Sequence, residues 1–294
     1  MAGFAAWLAG FRLRRVALIA GLFPLPFISL LSAAIVVFSA DIKGWQEAFK
    51  DAALALLALV LIELIAGGGQ ASVWFLSGAA LTLGFAGVLG TLLNKFRSLT
   101  LAVQSAVLIV VLGQVLFMVL IPDPQAFWLT FIENVVGQLE AQGFTGWNDI
   151  PLDALAAVMT TAIAISLLIA GLLALLLGCL MGCSLRSESF AAAFQSLKLG
   201  YIVGGLAALL GLAALFGLGF AGDMLVIVSI AFVFQGIAVL ASLANRKGFV
   251  ISWWGYVVTP LLLLMFLPVP AAALAMGLAA LGFIDNWYSL RPQK

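Results

Sequence analysis

Residues 224–244 read MLVIVSIAFVFQGIAVLASLA, residues 249–267 read FVISWWGYVVTPLLLLMFL, and residues 271–288 read AAALAMGLAALGFIDNWY. Each run holds about 20 residues, the length an α-helix rising about 1.5 Å per residue needs to cross roughly 30 Å of hydrocarbon. The three runs therefore predict three membrane-spanning helices. Their connections differ in charge: Asn245-Arg246-Lys247-Gly248 carries two cations and Leu267-Pro268-Val269-Pro270 carries none. Because lysine and arginine are retained on the cytoplasmic side, the basic connection orients all three helices, and the chain ends inside.

The composition of the whole chain agrees. Residues are 65% hydrophobic and 9% charged, against roughly 25% charged in a soluble domain. The 13 basic and 12 acidic residues leave a net charge of +1. The cations stand in ones, twos and threes at helix ends, so no nucleic-acid surface is expected. The absence of histidine excludes histidine-ligated zinc or haem and any Ser-His or Cys-His nucleophile pair. Cys179 and Cys183 stand one helical turn apart near an inner helix end. Two thiols alone do not make a tetrahedral metal site, so they read as packing residues, and no metal or cofactor is expected. No Walker loop, dinucleotide fingerprint, nucleophile elbow or paired-carboxylate motif occurs, so the chain is not read as an enzyme.

The N-terminal third is harder to lay out. Met1 to Gly10 lacks the order of a cleavable signal peptide, because Arg12, Arg14 and Arg15 follow the first apolar residues. Residues 1–15 are expected to lie as an amphipathic start on the inner surface, with Trp7 and Phe11 in the headgroup zone. Val16 to Ser39 is long enough for one crossing, but Pro24 and Pro26 remove two backbone donors and disfavour helix before each ring. Charge decides between one crossing and a broken hairpin. With the hairpin, Lys43 and Lys50 return to the cytoplasm, Ala52 to Ala66 rises, Gly67-Gly68-Gly69-Gln70 turns outside, and Ala71 to Leu93 descends to Lys95 and Arg97. All 13 cations then share one side. A single crossing would put Lys43 and Lys50 outside. The expected fold is an all-α polytopic membrane protein of about ten segments, the first ones short and broken, with both termini cytoplasmic, formed as a single integral membrane domain over residues 1–294.

Two surface helices complete this layout. Residues 122–153 carry five acidic residues and no basic one, which places the segment outside. Within it Trp128, Phe131, Ile132, Val135 and Leu139 recur at helical spacing opposite Glu133, Asn134, Gln138 and Glu140. Residues 184–198 predict an inner surface helix with Leu185, Phe190, Phe194 and Leu197 on one side. Gly178 with Gly182, Gly200 with Gly204, and the stripe Gly84, Gly87, Gly90 are small-residue patterns that let helices approach closely.

Chemistry has to come from the few polar groups inside apolar runs. Glu63 lies one turn from Gly67-Gly68-Gly69-Gln70, and a carboxylate in hydrocarbon is expensive unless it faces a cavity or a partner. Glu63 and Gln70 are therefore the expected wall of an outward-facing ligand site; a glutamate bonded to a neighbouring helix is the plainer reading. Gln114 and Gln235 could add hydrogen bonds to a ligand, as could Gln104, although each also serves as glue between helices. Asp285 beside Trp287, Tyr288 and Arg291 reads as an interface anchor.

Pro24-Leu25-Pro26, LIPDPQAFW (120–128), ESFAAAFQSLKLG (188–200), FQGIAVLASLANRKG (234–248) and LGFIDNWYSLR (281–291) together resemble the YybS-like family of bacterial multi-pass membrane proteins, a domain-of-unknown-function family. The likeness spans nearly the whole chain and departs from the family pattern around Lys43 and Lys50, where Asp41, Glu47 and Asp51 dilute the charge. The family has no established activity. The resemblance implies a bacterial inner-membrane location and a distant similarity to the substrate-binding subunits of energy-coupling-factor transporters and to the rod-shape protein MreD. Two roles follow as expectations. One is a transporter-like subunit without its own ATPase, binding a small apolar ligand and working with other membrane or energising proteins. The other is a scaffold that assembles cell-envelope proteins, resembling MreD in role. Besides these, the bilayer itself is the expected partner.

Overall fold

Prolines, charge and glycine explain most of the architecture. The computed structural model describes residues 2–25, 28–66, 72–144, 146, 150–247, 255–256, 269–288 and 290–291. Among the described residues every regular element is a helix: α1 (Ala2–Gly10), α2 (Arg12–Leu22), α3 (Ser29–Lys43), α4 (Trp45–Ala66), α5 (Val73–Phe96), α6 (Leu99–Leu120), α7 (Pro124–Ala141), α8 (Leu152–Arg186), α9 (Phe190–Gln195), α10 (Gly200–Leu215), α11 (Gly219–Arg246) and α12 (Val269–Tyr288). Four of them, α5, α6, α8 and α11, are long and apolar enough to cross a membrane. The shorter α10 is apolar throughout. Most of the expected run 249–267 lies outside the described residues, as do Pro26 and Gln70.

The expected break in Val16–Ser39 is present. α2 stops at Leu22 and α3 starts at Ser29, with Pro24 between them, and the two arms pack against each other. The return is fixed by charge. Asp51 in α4, fully buried, accepts from Arg15 Nε at 2.6 Å, Arg12 Nε at 3.1 Å and Ser39 Oγ at 2.8 Å. Residues 12–15 and 39–51 therefore sit at the same end of the bundle. Arg12 also pairs with Glu47, and the side-chain hydrogen bonds from Lys50 and Arg12 hold the Glu47 carboxyl below its ordinary range. Exposed pairs of that kind are worth little, so the anchoring falls to Asp51. The acids that dilute the positive charge in the sequence are thus the partners of the cations.

Asp41 does the same for three helix ends. Its buried carboxylate lies 2.6 Å from Arg186 at the end of α8 and 3.6 Å from Arg97 beyond α5, and its carbonyl accepts from Asn94. Around this point α3, α5 and α8 run side by side. A Cβ on Gly90 would overlap the Val37 backbone and the Ala40 side chain, and one on Gly178 would overlap Val37. The expected close packing at Gly90 and Gly178 is therefore met by α3. Gly84, by contrast, has no neighbour within 4 Å of its Cβ position.

The segment expected on the inner surface differs in outline. Ser184 to Arg186 extend α8, the chain turns at Ser187 with φ of 58°, and only Phe190–Gln195 is helical beyond it. Ser187 takes the left-handed conformation that ends helices, and Ser189 caps the next one by accepting from the Ala192 N–H at 3.3 Å. Phe190, Phe194 and Leu197 are buried, with Tyr256 against the two rings. The stretch packs the expected apolar side onto the bundle and leaves Ser189, Ala192 and Ser196 exposed on the other.

The C-terminal helices form the tightest contact. Cβ atoms at Gly236 in α11 and Gly282 in α12 would strike the backbone carbonyls of Leu278 and Phe232. The two helices therefore approach to backbone contact, which only glycine permits.

Candidate functional site

Three polar constellations and one group of cavities compete as the site. The first constellation surrounds Asp285. Its Oδ2 accepts from Gln235 Nε2 at 2.9 Å and from Arg291, while Oδ1 accepts from the Leu290 N–H at 3.1 Å. Gln235, fully buried, in turn accepts from the Leu199 N–H at 2.9 Å. Gln104 donates to the Leu199 carbonyl at 2.7 Å, Asn286 to the Gly200 carbonyl at 2.6 Å, and Arg291 to the carbonyls of Gln195 and Leu197. Buried backbone groups outside a helix need partners. The constellation supplies them for residues 195–200, and both ends of Gln235 are bonded, although the buried Asn286 Oδ1 has no hydrogen-bond partner. The Asp51 carboxylate is occupied by its arginines and Ser39; Asp41 Oδ2 takes Arg186, while its Oδ1 has only Arg97 at 3.6 Å. None of these groups lines the cavities described below.

Glu63 sits near the end of α4, partly exposed, and accepts from the Ser72 N–H at 3.2 Å. It closes the connection to α5, as the plainer reading has it. Beside Ser72 a cavity of about 420 Å³ is lined by Trp74, Phe131 and Asn134.

Gln114 is placed differently. It is 3% exposed, and its Nε2 donates to Thr161 Oγ1 at 3.3 Å, but its Oε1 has no partner. It lines a cavity of about 480 Å³ walled by α5, α6 and α8, whose other lining residues are almost all apolar. Ligand pockets have this size and character. Trp128 of α7 closes one side: its Nε1 donates to Thr160 Oγ1 at 2.8 Å and its ring stacks on Phe117 at 5.7 Å. The outer amphipathic helix expected around residues 125–142 is therefore a cap packed on α8.

Val37 and Ala40 stand level with Gly90, so Ser29 comes level with about residue 80 of α5. The α5 lining, Ala80 to Val88, therefore stands beside the start of α3, although no α3 residue lines this cavity. Gly84 and Gly113 line the cavity with open space at their Cβ positions. Of the four expected site residues, only Gln114 lines this cavity; Glu63 and Gln235 lie elsewhere, and Gln70 is outside the described residues.

The cap depends on its own start. Asp123 accepts from the Ala126 N–H at 2.9 Å ahead of Pro124. Asp123→Ala should cost about 0.5–2 kcal/mol of stability, read as a lower melting temperature in detergent, with the bundle otherwise intact. An unchanged melting temperature would remove the cap from the account.

Among the described residues no group of histidine, cysteine, aspartate and glutamate is placed to hold a metal ion. No family model matches the chain, and neither the curated proteins nor the solved structures give a match.

Proposed function

We propose that this chain is a multi-pass inner-membrane subunit that binds a small, largely apolar molecule in the outer half of its bundle, and that it works with energising proteins because it has no ATP-binding loop of its own. The supporting observation is the Gln114 carbonyl oxygen, buried without a partner at the wall of an apolar cavity. An unsatisfied buried acceptor costs about 1–3 kcal/mol. A ligand hydroxyl or N–H would remove that cost, and an apolar cavity otherwise has no hold on water.

In this reading the chain makes about ten passes with both termini cytoplasmic, and the cations around Asp41, Asp51 and Asp285 mark the inner side. The resemblance to the YybS-like family, and through it to transporter binding subunits with short, broken early helices, points the same way. A scaffold role finds less support, because the inner segment assigned to it buries Phe190, Phe194 and Leu197 within its own chain.

Native mass spectrometry of the purified protein tests the proposal. Wild type should retain a small molecule that Gln114→Leu loses, while the variant melts no lower than wild type, since an apolar replacement relieves the unsatisfied oxygen. Equal retention by both proteins, or retention by neither, would overturn it.

A further inference from the structure

We infer that the molecule bound is an elongated, lipid-like chain with one terminal hydrogen-bond donor, lying along the α5–α8 pair through two adjoining cavities and entering sideways from the bilayer; this rests on the binding role proposed above. A second cavity of about 640 Å³ lies between the α2–α3 hairpin and the same two helices. The two spaces share Leu81, Ile163 and Leu167 in their linings. Those three aliphatic side chains are the partition. Leu81 is 54% exposed and Ile163 36%, so neither is held in place by surrounding packing, and rotation of either joins the spaces.

The combined shape selects the ligand. Lining residues on α8 run from Thr160 to Leu173, about 20 Å at 1.5 Å per residue. That exceeds the roughly 15 Å of one leaflet's hydrocarbon, taken as half of about 30 Å, and suits an extended chain better than a compact one. Polarity gives the same answer. In the first cavity Gln114 presents one free acceptor, and the Thr160 hydroxyl already takes the Trp128 N–H. A compact polar molecule would bury several donors and acceptors against this wall without partners, at about 1–3 kcal/mol each. A chain with a single hydroxyl leaves none of its own unpaired there; the second cavity is lined by Ser29, Thr82 and Ser166 among apolar residues.

The mouth faces hydrocarbon. Leu81, Val88 and Ile109 line the first cavity and are 54%, 37% and 39% exposed, on helices long and apolar enough to span. A molecule dissolved in the leaflet reaches the space without crossing water. Gly78 in the second cavity and Gly113 in the first also have open space at their Cβ positions. Glycine costs a helix about 1 kcal/mol relative to alanine, and here no neighbouring backbone asks for it. Each leaves room inside a cavity.

The test uses a long-chain alcohol carrying a diazirine near its methyl end, and its methyl ether as the donor-free control, with the full-length protein in phosphatidylcholine nanodiscs. After photolysis the alcohol should label the hairpin around Ser29 and Leu30. Labelling should fall about tenfold for the ether and for Gln114→Leu, the loss of one hydrogen bond worth about 1.4 kcal/mol. Gly78→Trp should remove the hairpin label and leave binding in the first cavity, whereas Gly113→Trp should remove both. Labelling confined to α6 and α8 and insensitive to Gly78→Trp would show a compact ligand and overturn the inference. So would equal labelling by alcohol and ether. If the wild-type protein still retains a molecule in native mass spectrometry under either result, the binding role stands and only the ligand class is wrong.

Discussion

Asp285→Ala should lower the unfolding free energy by about 3–5 kcal/mol, because it leaves a guanidinium in a buried site without its counter-charge. The Arg291 side chain is 12% exposed and that of Asp285 1%. Removing the carboxylate also frees Gln235 Nε2 and the Leu290 N–H, each of which donates to it. A thermal melt in detergent should show the drop, and the loss should change little with added salt, since a buried pair is screened far less than an exposed one. Replacing both partners with apolar residues, Asp285→Leu with Arg291→Met, should restore only part of the loss. The carbonyls of Gln195 and Leu197 depend on the same guanidinium. Complete restoration would mean that the pair is a charge contact alone and does not hold the turn at residues 195–200.

Gly236→Leu should be more damaging still. Ordinary overpacking costs about 1–3 kcal/mol because side chains can shift. Here a Cβ would meet the Leu278 carbonyl, and the reciprocal glycine, Gly282, faces the Phe232 carbonyl. Backbone cannot shift as a side chain does, so α11 and α12 would have to separate along their length. The expected result is loss of the monodisperse folded protein on size-exclusion chromatography. Gly84→Leu, with nothing within 4 Å of its Cβ position, should leave that profile unchanged. If the two variants behave alike, the close crossing of α11 and α12 is not what holds the C-terminal helices.

How much of this was legible in the sequence depends on what kind of signal each feature leaves. The broken start was legible because proline acts locally: Pro24 interrupts the helix wherever the chain goes. The amphipathic helix α7 was legible for the same reason, its period, cap and Pro124 all lying within one short segment. The partners of the charges were not. Asp41 and Asp51 read as a dilution of positive charge, and nothing local says that they would be buried under Arg186, Arg97, Arg15 and Arg12. The close crossing at Gly236 and Gly282 was missed since the two glycines lie on different helices, and small-residue patterns reveal only pairs along one helix. Gly84 shows the opposite error, a glycine grouped with the packing stripe that opens on a cavity instead.

The site was half legible. Rarity of polar groups in apolar runs brought Glu63, Gln114 and Gln235 forward, and all three are polar groups within or at the edge of the bundle. Which of them stays free depends on neighbours that arrive from distant parts of the chain. Leu199 and Asp285 use up Gln235, Ser72 takes up Glu63, and only the Gln114 oxygen is left over. A charged residue attracts attention in a sequence, but of these three the neutral amide has the unmet hydrogen bond.

The hairpin is the feature on which the sidedness of the proposed layout rests, and cysteine labelling tests it most directly. Lys43→Cys and Gln142→Cys, both at exposed positions, are placed singly in a chain with Cys179 and Cys183 changed to alanine and treated in intact cells with a membrane-impermeant maleimide. Gln142→Cys should be labelled at once and Lys43→Cys only after the membrane is permeabilised. Labelling of Lys43→Cys from outside intact cells, alongside Gln142→Cys, would mean that residues 16–39 cross the bilayer once, and the proposed ten-pass layout would fall.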